Sequence, residues 1–142
     1  MAELTQLTEK SLVASYKAGG AITAGAVVVF DTSTAGEVDL PAAAKCDGIA
    51  GVALTDAASG DMIAVIKSGI VKCNAGGTIA IGDYVEVGST AGEVTAIPAT
   101  EASARTAHAL GIATSAGVDE GNVLVEIRMQ DKAVAATEAS AQ

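Results

Sequence analysis

The hexapeptide Ser33-Thr-Ala-Gly-Glu-Val38 occurs a second time, letter for letter, as Ser89-Thr-Ala-Gly-Glu-Val94. An Ala-Gly-Gly tripeptide stands upstream of each copy, at 18–20 and at 75–77, and between them run Ala21-Ile-Thr-Ala-Gly25 and Thr78-Ile-Ala-Ile-Gly82. A chain that repeats phrases in this order reads as one structural unit written twice, and that duplication limits the fold more than any single motif. A unit of about 60 residues buries only roughly 60% of its surface when alone, so the two copies are expected to interlock into one pseudo-symmetric body.

Each copy spells short strands. Leu12, Ala14 and Tyr16 alternate along 11–17, and Ala26-Val-Val-Val-Phe30 is a β-branched run bounded by Gly25 and by Asp31-Thr-Ser-Thr-Ala-Gly36. Glu37–Leu40 then returns as the second arm of a hairpin. The repeated hexapeptide is thus a hairpin tip, in which Gly36 and, in the second copy, Gly92 supply the positive φ of the turn. Gly48–Leu54 reads as a strand with small residues where backbones approach closely, and Met62–Ile66 as a further buried strand. The second copy follows with strands at 69–73, 83–87, 93–97, 109–113 and 123–128, Gly111 standing where Gly51 stands in the first. A short insertion lies between Pro98 and Gly111, and its Ala-rich stretch Thr100–His108 after Pro98 leaves room for at most one short helix.

These readings predict an all-β fold, a small β-barrel or sandwich. Residues 1–10 form an N-terminal arm and 11–130 a single β domain, with repeat one at 11–67 and repeat two at 68–128. Residues 131–142, rich in Ala, Ser, Thr and Glu, are expected as a flexible tail.

Composition narrows the function. Half of the chain is hydrophobic but only 2% is aromatic, so the core must be built of Ala, Val and Ile. Ala stabilises far less on burial than the roughly 1.5–3 kcal/mol of a Val or Ile, which predicts that an oligomer or a bound surface completes the stability. With 8 basic against 17 acidic residues the net charge is −9, and no run of Lys or Arg exists to neutralise phosphates, so nucleic acid is not an expected partner. The same charge disfavours an anionic membrane, no apolar run is long enough to span one, and no signal peptide is visible at Met1–Thr5. Cys46 and Cys73 fall at unmatched positions of the two copies and read as reduced small hydrophobes.

No reaction centre can be assembled from these residues. His108 is the one histidine and has no Gly-x-Ser-x-Gly nucleophile to serve, phosphate-cradling glycine loops are absent, and the carboxylates of Asp56, Asp61, Asp119 and Glu120 sit in turns without calcium-ligand spacing. The expectation is a protein that is not an enzyme and has no catalytic residue, cofactor or metal. The parts outside the repeat carry its contacts: residues 1–17 against a neighbouring subunit or another surface, with Leu4, Leu7, Leu12 and Tyr16 as anchors.

The order Ala21-Ile-Thr-Ala-Gly25, Val-rich strand, Thr-Ala-Gly-x-Val turn, Gly48-Ile-Ala-Gly-Val-Ala-Leu54, Gly60-Asp61, Ser68-Gly69 resembles tailed-phage head decoration, or capsid cement, proteins. The resemblance covers about residues 11–128. It implies a β-barrel virion protein, made in the host cytoplasm, that binds the major capsid protein on the outside of an icosahedral head and stabilises the shell as a homo-oligomer, most often a trimer. The Ala-Ile-Thr-Ala-Gly phrase also resembles antifreeze-like or β-clip domains, which implies the alternative of a carbohydrate-binding or appendage-assembly module.

Overall fold

The computed structural model describes residues 11–136. Eleven strands follow one another: β1 Leu12–Ala18, β2 Val27–Phe30, β3 Glu37–Asp39, β4 Ile49–Ala53, β5 Met62–Ser68, β6 Ile70–Ala75, β7 Tyr84–Val87, β8 Glu93–Ala96, β9 Thr100–Glu101, β10 Arg105–Ala113 and β11 Asn122–Ala136. Among the described residues there is no helix, and the fold is all-β.

The first five strands close into a barrel of order β1-β3-β2-β4-β5. β1 runs parallel to β3 and antiparallel to β5. The remaining strands form a six-stranded sheet of order β10-β7-β8-β6-β11-β9, and a further β10–β11 pairing brings that sheet round on itself. Here β6 runs parallel to β8, as β1 does to β3. Between β1 and β2 the chain runs through Ile22, and between β6 and β7 through Ile79. Each makes an isolated antiparallel bridge, to Ala57 and to Gly117 respectively.

Alternation along these strands sorts the small apolar residues into two clusters. One fills the first barrel with Ala18, Ile22, Val28, Val38, Ala50, Ile63 and Val65. The other joins Cys73, Val85, Val87, Val94, Leu110, Val123 and Val125 to Val27, Val52 and Ile66, which face outward from the first barrel. Backbone hydrogen bonds cross between the same parts, from Val27 N–H to Gly92 O at 3.0 Å and from Asn74 N–H to Gly25 O at 3.0 Å.

Gly51 and Gly111 mark the closest backbone approaches. A Cβ on Gly51 would collide with the carbonyl oxygen of Ile66, and one on Gly111 with that of Glu126. Only glycine lets β4 and β10 press so near to β5 and β11. At the hairpin tips Gly36 has φ 82° and Gly92 φ 88°.

The Ala-rich stretch 100–108, the one place left open to a short helix, forms none: it enters as β9 and the first half of β10. Ala107 and Ala109 are buried there while Thr106 is exposed, so burial on a strand period outweighs the weak helix preference of alanine. Nor does a tail begin at Asp131. Residues 131–136 continue β11, with Asp131 opposite His108, Lys132 opposite Ala107 and Val134, buried, opposite Arg105. The partner strand, formed by the insertion, is what orders them.

Candidate interaction surface

Of the four proposed anchors, Leu4 and Leu7 lie outside the described residues. Leu12 opens β1 with 56% of its surface exposed, its N–H donating to Ser68 Oγ at 3.0 Å. Tyr16 is half-buried against the first core cluster. Leu12 and Tyr16 therefore differ: one is bare, the other is part of a built feature at the barrel mouth.

That feature follows from strand alternation. Phe30 lies two residues beyond Val28, and Lys67 two beyond Val65, so both extend rows that point into the first barrel. They meet Tyr16 there. The Tyr16 and Phe30 rings stand edge to face with centroids 5.7 Å apart. The Lys67 ammonium sits 5.0 Å from one ring and 4.9 Å from the other, and donates to Tyr16 Oη at 3.0 Å and to Ala50 O at 2.9 Å. Each contact of this kind contributes about 0.5–1 kcal/mol at a solvent-facing site. Phe30 nonetheless leaves 42% of its surface to solvent. The result is a rigid aromatic contact, preorganised and partly bare. The sequence carried a signal for it, since two of the three aromatic residues fall at strand positions of the first half, but their meeting depends on how β1 and β2 are set side by side through β3.

A second group binds the insertion to both barrels. The Arg105 guanidinium donates to both carboxylate oxygens of Glu86, at 2.9 and 2.7 Å, and twice to Glu101 Oε2, at 2.9 and 2.6 Å. Glu86 is 2% exposed, and Lys45 Nζ completes the group 3.2 Å from Glu101 Oε1. The bidentate Glu86 bond, then Glu101, raise the Arg105 pKa, and Arg105 foremost lowers that of Glu101. Every charge is paired, so this group holds structure together.

His108 Nδ1 lies 2.8 Å from Asp131 Oδ1 beside a cleft lined by Asp47, Ile49, Met129 and Gln130. Among the described residues no hydroxyl or thiol lines that cleft. The turn carboxylates are occupied by backbone: Asp56 accepts from Ala24 N–H at 2.8 Å, Asp61 from Ala58 N–H at 3.2 Å and Asp83 from Ala80 N–H at 3.0 Å. Among the described residues no group of three or more His, Cys, Asp or Glu is placed to hold a metal. Cys46 and Cys73 are free thiols, and burial pushes Cys73 up to about 12, out of the reactive range.

The Tyr16–Lys67–Phe30 cluster is a partly exposed aromatic feature on a closed all-β scaffold. The sequence profile of the phage cement protein family matches residues 6–129, and the chain belongs to that family. It is a phage capsid-associated structural protein. The solved head fiber gp8.5 N base of bacteriophage phi29 has a similar fold, with TM-score 0.58 and 18% identity over 83% of this chain and 94% of that one. No curated protein sequence matches.

Proposed function

We propose that the protein binds the outer surface of an icosahedral phage head, through its major capsid protein, and stabilises the shell as a homo-oligomer, a trimer being favoured. The observation that carries this reading is the partly bare Tyr16–Lys67–Phe30 cluster in a member of the cement family. A rigid aromatic anchor presents contact area at low entropic cost, and repeating it in an oligomer multiplies weak binding by about 10²–10⁴. Leu12 and the arm with Leu4 and Leu7 add apolar contacts to a neighbouring subunit or to the shell. We read the body, residues 11–130, as one domain written twice, supported by the corresponding strand orders and by the paired roles of Gly51 and Gly111.

The test is sedimentation of undecorated phage shells mixed with the protein. Saturable co-sedimentation that Phe30→Ala weakens at least tenfold, with the fold intact, is the expected result. A folded protein that stays in the supernatant overturns the reading, and glycan binding without co-sedimentation favours the carbohydrate-binding alternative. Deleting residues 2–10 separately tests the arm: unchanged shell binding and unchanged oligomer mass would remove it from the contact.

A further inference from the structure

Within the chain the first half is seated on the second. Its outward residues Val27, Val52 and Ile66 lie in one cluster with Cys73, Val87 and Ile127 of the second half. Its backbone is wedged in as well: Asn74 N–H donates to Gly25 O and Val27 N–H to Gly92 O, both at 3.0 Å. The fit is close, since a Cβ on Gly92 would stand 3.1 Å from Ala26 and one on Gly25 would stand 3.0 Å from Asn74.

The corresponding places at the two ends of the molecule are bare among the described residues. Strand pairing sets the correspondence. Val27 opposite Val52 opposite Ile66 in the first half is Tyr84 opposite Ile112 opposite Glu126 in the second. Gly25 N–H to Ala53 O likewise recurs as Gly82 N–H to Ala113 O. A Cβ on Gly82 or on Gly36, the counterparts of Gly25 and Gly92, would meet no described atom within 4 Å. Lys17 N–H and Gly36 O, the counterparts of Asn74 N–H and Gly92 O, close on each other at 2.9 Å. The second half thus presents a face like the one the first half uses, and the first half a seat like the one the second half offers.

The side chains at these ends suit each other. Ala24 shares the cleft between the halves with Ile70 and Asn122. Their counterparts at the ends are Ile81, Val13 and Met62, three apolar side chains left in water, Ile81 at 71% exposure. Ile66 and Ile127, both in the shared cluster, become Glu126 and Lys67, which carry opposite charges. Arg128 Nη2 lies 3.1 Å from Glu126 and Lys132 Nζ 5.0 Å from the Tyr84 ring, so cations of β11 already hold two side chains of the face in place.

We propose that copies of the chain join head to tail. The Tyr84–Ile112–Glu126 face of one copy sits on the Tyr16–Phe30–Lys67 mouth of the next, with Ile81 against Val13 and Met62, and Glu126 against Lys67. Gly82 O and Tyr84 N–H then take Lys17 N–H and Gly36 O, as Gly25 O and Val27 N–H take their partners within the chain. Such a contact uses two different surfaces, so it propagates until a ring closes. The inference rests on the reading of the mouth as a contact surface and names a second copy as its partner. Shell affinity then depends on the mouth through the avidity of the assembly.

The experiment measures the mass of the free full-length protein by sedimentation velocity, without shells. An oligomer is expected whose dissociation constant rises at least about tenfold in Lys67→Glu and in Glu126→Lys, because each places like charges face to face. Both changes in one chain, or the two variants mixed, restore opposite charges at every contact and should bring the oligomer back. Ile81→Glu, at a position too exposed to disturb the fold, should dissociate it too. A monomeric natural protein overturns the proposal, as does an oligomer indifferent to Glu126→Lys and Ile81→Glu. A monomer that still binds shells overturns this proposal alone, whereas an oligomer that binds no shell overturns only the shell reading.

Discussion

The two halves of the molecule are wired alike and sealed differently. Ala18 N–H donates to Asp61 O at 2.8 Å as Ala75 N–H does to Gly121 O at 2.9 Å, and Gly19 N–H donates to Val38 O as Gly76 N–H does to Val94 O. Asp31 N–H to Glu37 O is answered by Gly88 N–H to Glu93 O, and Leu54 N–H to Ala64 O by Thr114 N–H to Leu124 O. Counted along these bonds, Tyr16, Phe30 and Lys67 stand where the second half has Cys73, Val87 and Ile127. All three of the latter are buried in the shared core. One half therefore has aliphatic side chains at these positions. The other has two rings around an ammonium, the face proposed above for contact.

The largest predicted effect tests whether the wiring is shared in energy as well as in outline. Gly51→Ala and Gly111→Ala each put a methyl group into a carbonyl oxygen of the neighbouring strand, and the backbone of Gly51, at φ 150°, adds strain. Each is expected to cost on the order of 3 kcal/mol or more in denaturant unfolding, enough to threaten a domain of ordinary stability. A half that accepted its alanine within about 0.5 kcal/mol, the scatter of surface substitutions, would break the comparison.

Next comes a difference between the halves. Arg105→Ala leaves the Glu86 carboxyl buried in the second half, and among the described residues no partner replaces the guanidinium. A loss of about 3 kcal/mol is expected, the low end for a broken buried pair because Arg105 itself is partly open to solvent. Arg105→Met with Glu86→Leu should recover most of it in the same assay. Failure of the double substitution to recover would mean that the guanidinium holds β9 in place through Glu101 rather than by neutralising Glu86.

Much of this plan was legible in the chain. The duplicated hexapeptide marked the two hairpins, and strands β1 to β8 fall within a few residues of the β-branched runs that announce them. What could not be read there depends on tertiary pairing. Alanine at Ala107 and Ala109 has no strand signature, and Ala133, Ala135 and Ala136 look like tail until they meet a partner. Glu86 sits between Val85 and Val87 in an otherwise apolar strand, an oddity that hinted at a buried partner but named none. Arg105 reaches it only because the insertion folds as strand rather than helix. Lys67 likewise reads as the polar end of a strand, and its placement between two rings needs the register of β1 against β5.

Acid should act unevenly on the two halves. Hydrogen bonds from Arg105, and then from Lys45, hold the Glu101 pKa below its ordinary 4.5. A depressed folded-state pKa contributes stability that is present above the unfolded value and lost as pH falls through the folded one. Thermal stability is therefore expected to drop below pH 4.5 more steeply in the natural protein than in Glu101→Gln. Hydrogen exchange should locate the first opening in β9 and the start of β10. An opening that began instead at β1 would place the acid-sensitive element in the wrong half.

The smallest effect on stability probes the difference at the barrel mouths directly. Lys67→Met replaces the ammonium with an aliphatic chain of similar reach, which makes the first mouth resemble the second. The substitution removes two ring contacts of about 0.5–1 kcal/mol each and two hydrogen bonds, but it also relieves the cost of holding a charge close to the apolar cluster. These terms oppose one another, so unfolding free energy is expected to change by less than about 1 kcal/mol. Shell binding should respond far more. Without the ammonium between them the Tyr16 and Phe30 rings lose the contact that fixes their edge-to-face angle, and an anchor that must be ordered on binding contributes less affinity. A decrease of tenfold or so in co-sedimentation affinity, at nearly constant stability, would assign the mouth to contact. Equal losses in both would return it to the core, and the two halves would then differ in composition alone.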